Sequence, residues 1–74
     1  MTYRVTVIIE QDEDGYYAYA PELEGCQSQG NSLDEALANI REAVELYLET
    51  LSHEEIKRSL SKTILTTALE VARA

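Results

Sequence analysis

From Tyr3 to Glu10 the chain alternates, with Tyr3, Val5, Val7 and Ile9 on one side and Arg4, Thr6 and Glu10 on the other. Ile8 is the one apolar residue out of step. A period of two in a segment rich in β-branched residues predicts a half-buried strand over 3–10. Asp12-Glu13-Asp14-Gly15 supplies turn chemistry, since an Asp-Gly pair readily accommodates positive φ. Tyr16 to Ala20 then returns as the second strand of a hairpin. Pro21 has no amide to give to a ladder, so this strand stops at Ala20. Pro21-Glu22-Leu23-Glu24-Gly25 reads as a turn with Leu23 tucked inward, and Cys26 to Gln29 as a short third strand that ends at Gly30.

The period changes after Gly30. Ser32-Leu33-Asp34-Glu35 is a capping box, in which the Ser32 hydroxyl accepts from the Glu35 amide and the Glu35 carboxylate reaches back to the Ser32 amide. Leu33, Ala36, Leu37, Ile40, Ala43, Val44, Tyr47, Leu48 and Leu51 recur at helical spacing, with charged residues off that stripe. This predicts an amphipathic helix from Leu33 to about Leu51 covering one face of the sheet. Ser52-His53-Glu54-Glu55 repeats the cap and opens a short helix over about 53–60. In the tail from Lys62 to Ala74, Leu65, Thr67, Leu69 and Val71 alternate, and the abundance of Thr, Ile and Val favours a fourth strand over about 64–72. Such a terminal strand pairs within its own chain or with a neighbour's sheet. The pattern therefore predicts a single α+β domain over 1–74. Its order is β-β-β-α-β, a mainly antiparallel sheet with one long helix on one face.

Composition narrows what such a domain does. With 74 residues, no Trp and no Phe, the chain is marginal as an isolated monomer, and a partner or a homodimer is expected. Its net charge of -8 repels phosphate backbones and anionic lipid and favours a basic partner, so neither direct nucleic-acid binding nor membrane binding is expected. A single cysteine fits a reducing compartment, and the start MTYRVTVIIEQ lacks an apolar leader, so a cytoplasmic location is expected.

Three constellations invite chemistry. The run from Glu10 to Gly15 superficially resembles the start of a calcium loop, but the twelfth position, which needs a bidentate Glu, is Pro21. Glu10, Asp12 and Asp14 could be imagined around a pair of metal ions about 4 Å apart, yet they sit at a strand end and a turn, where solvation is the simpler reading. Cys26 and His53 could form a thiolate-imidazole pair, but no third group orients them. The tyrosines are more informative. If Tyr16, Ala18 and Ala20 face the helix, Tyr17 and Tyr19 face the uncovered side of the sheet, either shielding it or contacting another protein.

Asp14-Gly15 before the tyrosine strand, Ala20-Pro21-Glu22-Leu23 with Gly25-Cys26, Gly30, and the Ser32-capped Glu35-Ala36-Leu37 helix together resemble the HicB antitoxin family. The resemblance runs from Tyr3 to Leu48, about two thirds of the chain. It implies a partial ribonuclease H fold and assembly into dimers or larger oligomers. It also implies neutralisation of HicA, a small basic toxin that cleaves RNA. Many members continue into a DNA-binding domain, and because this chain ends at Ala74, operator binding is not expected of it.

The expectation is a non-enzymatic, cofactor-free and metal-free antitoxin or protein-binding module. Partner contacts are expected from Asp12, Glu13, Asp14, Tyr17, Tyr19, Glu22, Leu23 and Glu24, and structural roles from Gly15, Pro21, Gly25, Cys26, Gly30, Ser32 and Glu35. Alternatives are a stand-alone oligomeric protein with no toxin and a degenerate metal-dependent hydrolase.

Overall fold

The computed structural model describes residues 2–74. Strand β1 (Ile8–Asp12) and strand β2 (Gly15–Tyr19) pair antiparallel, from Ile8 opposite Tyr19 to Asp12 opposite Gly15. The Asp12 carboxylate accepts from the Asp14 amide at 2.8 Å, which holds the two-residue loop. Gly15 has φ +131°, a conformation that side-chain-bearing residues rarely adopt. Strand β3 (Gln27–Gly30) pairs antiparallel with the other side of β2, giving the order β1-β2-β3.

The alternating segment predicts a strand over 3–10, but the ladder occupies Ile8–Asp12. The reason lies in its partner. β2 ends at Tyr19, two residues before Pro21, so residues 3–7 have no strand opposite them. A side chain substitutes for it: the Thr6 amide donates to Glu22 Oε1 at 2.7 Å. Between β2 and β3, the Leu23 amide donates to the Ala20 carbonyl and the Cys26 amide to the Leu23 carbonyl, while the Ala20 amide closes the loop on the Cys26 carbonyl, each at 3.0 Å. That geometry drives Leu23 inward, leaving it 1% exposed.

Helix α1 (Leu33–Glu49) begins where Ser32 Oγ accepts from the Glu35 amide at 3.1 Å. Here the structure corrects the expected capping box: Glu35 Oε1 accepts from the Asn31 amide at 3.1 Å, not from Ser32. Helix α2 (His53–Ser59) does carry the complete box, with Ser52 and Glu55 bonded reciprocally. Ala36, Ile40 and Val44 of α1 close over Ala18, Ala20, Leu23 and Cys26 to form the core, with Val5, Val7, Ile9 and Tyr16 packed at its margin. Most of the fold's stability must come from this contact between one helical stripe and one sheet face.

The architecture is thus α+β, with three antiparallel strands followed by a long and a short helix. The fourth strand expected over 64–72 does not form within this chain: residues 62–74 lie in no helix or strand. Alternation supplies a strand's side-chain pattern, but a ladder also requires a neighbouring backbone to pair with.

Candidate protein-binding face

Ala18 is fully buried beneath α1, so its neighbours Tyr17 and Tyr19 project from the opposite, uncovered face. The register adds Glu10 opposite Tyr17 and Ile8 opposite Tyr19 on one side, and Gln29 and Gln27 opposite the same two tyrosines on the other. Ile8, out of step in the sequence, is therefore part of this face. The two rings lie 5.6 Å apart between centroids, tilted at 35°. Tyr17 donates to Gln27 Oε1 at 2.6 Å, and Tyr19 to Glu10 Oε2 at 3.4 Å.

These bonds set the face's chemistry. Partial desolvation raises the Tyr19 phenol above its ordinary pKa, helped by the negative charge and hydrogen bond of Glu10 and by Tyr17. Tyr19 therefore remains a neutral donor at physiological pH. The result is a small aromatic platform edged by amide and carboxylate groups, suited to burying the apolar part of another protein while pairing its polar groups.

The structure divides the expected contact residues. Asp12, Glu13 and Asp14 are exposed at the hairpin tip, Tyr17 and Tyr19 lie on the open face, and Glu24 is exposed in the following loop. Glu22 and Leu23 do not join them. Both are buried, Leu23 in the core and Glu22 holding the Thr6 amide, so their expected contact role is corrected to a structural one. Among the described residues no buried side-chain polar atom lacks a hydrogen-bond partner. Gln27 and Gln29 were missed by sequence reading, although continuing the alternation across the third strand places both beside the tyrosines.

Two of the expected structural glycines lie at close backbone approaches. A Cβ at Gly15 would come within 2.9 Å of the Gly30 carbonyl oxygen, which links the hairpin tip to the end of β3. Gly30 itself lies against the first turn of α1, where a Cβ would stand 2.6 Å from the Ala36 nitrogen. Cys26 is buried in the core, and burial pushes its thiol pKa up, the wrong direction for a nucleophile. His53 Nδ1 pairs instead with the Tyr3 hydroxyl at 2.8 Å. Among the described residues no group of three or more His, Cys, Asp or Glu side chains is arranged to hold a metal ion. Among the described residues no helix is long and apolar enough to cross a membrane.

Residues 3–71 match the family model described as the HicB-like antitoxin of bacterial toxin-antitoxin systems. A UPF0150 protein of Helicobacter pylori is 46% identical over 70 residues, covering 95% of this chain and 97% of that protein. A UPF0150 protein of Thermoplasma acidophilum is 47% identical over 64 residues, covering 82% of this chain and 93% of the relative. A Synechocystis UPF0150 protein reaches 52% identity over 50 residues, 66% of this chain and 63% of its own length. No solved structure matches. The family match takes in the strands, both helices and most of the unpaired tail, so this chain belongs to the HicB-like antitoxin family.

Proposed function

We propose that this chain neutralises a small basic, RNA-cleaving toxin of the HicA type by binding it in the cytoplasm, with no catalysis of its own. The observation that carries this reading is the uncovered sheet face. Tyr17 and Tyr19 stand there side by side, bordered by Glu10 and by the exposed carboxylates of Asp12, Glu13 and Asp14. The tyrosines supply area that a partner can desolvate. The acidic tip speeds encounter with a basic protein and orients it. Glu24, on the loop after β2, extends the acidic border, and self-association as a homodimer accompanies toxin binding.

The test is co-expression with a small basic ribonuclease encoded beside the gene, followed by affinity measurement at two salt concentrations. Changing both Tyr17 and Tyr19 to Ala should weaken the complex about tenfold or more, the range expected when buried interface aromatics are truncated. Changing Asp12, Glu13 and Asp14 to Asn or Gln should mainly slow association and flatten its salt dependence. Full-strength binding by the double tyrosine variant would assign the toxin to another surface. Failure of the unaltered chain to bind or inhibit the ribonuclease would reject the reading.

A further inference from the structure

We propose that residues 62–74 are an exchange arm, which seats in a groove between residues 2–7 and α1 of a second copy and adds a strand to the open edge of β1. The second copy returns its own arm to the first. The contact is isologous and closes as a two-fold dimer.

The arm is unsuited to solvent. Leu65, Leu69 and Val71 are 87%, 82% and 81% exposed, more than any other large apolar residue in the described chain. Leu65, Thr67, Leu69 and Val71 share one side of an extended segment, which is a strand pattern without a strand beside it. The arm also accounts for the molecule's shape. The extents are 48 × 28 × 17 Å and the radius of gyration is 14.5 Å, against about 11 Å for a compact chain of this length. Leu60 packs against the core and marks where the chain leaves the body.

The groove has the complementary character. Val5 and Val7 form one wall and Leu37, Ile40, Val44 and Leu48 of α1 the other, around a space of about 530 Å³. Its backbone edge is available because β1 is an outer strand. The Thr6 amide turns inward to Glu22, and successive peptide groups of an extended chain point to opposite sides, so Val5 and Val7 present theirs outward. At the other edge of the sheet, Asn39 Nδ2 already occupies the Gln29 carbonyl at 2.8 Å. The extended edge from Thr2 to Asp12 is long enough to receive the nine residues 64–72, which span about 30 Å at full extension.

Charge favours the same pairing. The arm holds Lys62 and Arg73 against one acid, Glu70, a net charge of +1, whereas residues 1–61 hold four basic and thirteen acidic residues, a net charge of -9. Each copy therefore offers a weakly basic, apolar tail to an acidic body.

The deciding measurement is the solution mass of the full chain across a concentration series, with hydrogen exchange on the same samples. The expected mass is twice the 8.3 kDa of one chain, with the amides of Val5 and Val7 and alternate amides within residues 64–72 protected. The Leu65→Asp/Leu69→Asp double variant should keep the far-ultraviolet circular dichroism of the body, lose protection at both segments and weaken the dimer at least about a hundredfold, from roughly tenfold or more per buried leucine. Leu37→Asp, in the receiving wall, should weaken it in the same way. A monomeric unaltered chain would overturn the proposal, including one whose tail is protected by folding back on itself. So would a dimer that survives the double variant, or a double variant whose body unfolds, since either result would place the tail's packing elsewhere.

Discussion

Gly30→Ala tests the junction on which the sheet and helix depend. Gly30 is the last residue of β3, opposite Tyr16, and a Cβ on it would lie 2.6 Å from the Ala36 nitrogen and 3.0 Å from both the carbonyl carbon and Cβ of Glu35. Favourable contacts between such atoms lie nearer 3.5–4.0 Å, so strand and helix would have to separate by about 1 Å. Two of the three obstructing atoms are helix backbone and cannot swing aside. Ala36 is also fully buried, which ties that turn to the sheet. Overpacking of this kind costs about 1–3 kcal/mol. Replacing Gly by Ala returns about 0.4–1 kcal/mol by restricting the unfolded chain, leaving a net loss of about 1.3 kcal/mol at the middle of both ranges. For a domain of this size that lowers Tm by roughly 5–10 °C. Thermal and urea unfolding should be compared at one protein concentration, because self-association itself raises apparent stability. An unchanged or raised Tm would refute the close-approach argument.

Glu22→Ala should lower stability by about 1–3 kcal/mol in urea unfolding, because the Thr6 amide loses its acceptor, whereas Glu22→Gln keeps an oxygen there and should cost less. Hydrogen bonds from the Ser52 backbone, then its side chain, hold the Glu55 carboxyl below its ordinary pKa of 4.5. The resulting contribution to α2 is fully present above that value and lost as pH falls through the lower folded pKa, which an NMR titration of the Ser52 amide and α2 resonances would follow. Tyr19 should titrate above 10.0, and its contribution to stability is present below that pH and lost as pH rises through the folded value. Glu10→Gln should bring the Tyr19 ring titration part of the way back, since partial desolvation, the largest cause, remains; an unshifted resonance curve would contradict the Glu10 contact.

Much of the fold was legible because its determinants are local. Asp14-Gly15 forms the hairpin, the Ser32 hydroxyl caps α1, and the stripe through Ala36, Ile40 and Val44 finds the sheet. The errors occur where a residue's partner is remote in sequence. Residues 3–7 alternate like a strand, but the early end of β2 leaves Glu22 as their substitute partner, and nothing local announces a bond across sixteen positions. Glu22 illustrates the same limit. Its charge suggested a solvent-facing contact, whereas three backbone hydrogen bonds fold its loop over the core, with Leu23 tucked inward as the sequence suggests. The placement of Tyr17 and Tyr19 away from α1 was readable from alternation alone, once small residues at Ala18 and Ala20 identified the helix side.

The open sheet face and the proposed arm groove are separated by the sheet itself, so the two proposed contacts do not compete for one surface. Tyr17, Tyr19, Glu10 and Ile8 project from one side, while Val5, Val7 and the outer stripe of α1 frame the groove on the other. The β1 edge is the element they share. Strand addition at that edge uses backbone groups and therefore leaves the tyrosine side chains free. If the arm pairs there as proposed, the sheet bearing the tyrosines is extended while its uncovered face, the proposed toxin site, is left unoccupied. A chain whose isolated core is marginal would gain order from a second copy and still present an unobstructed acidic, aromatic face on each copy.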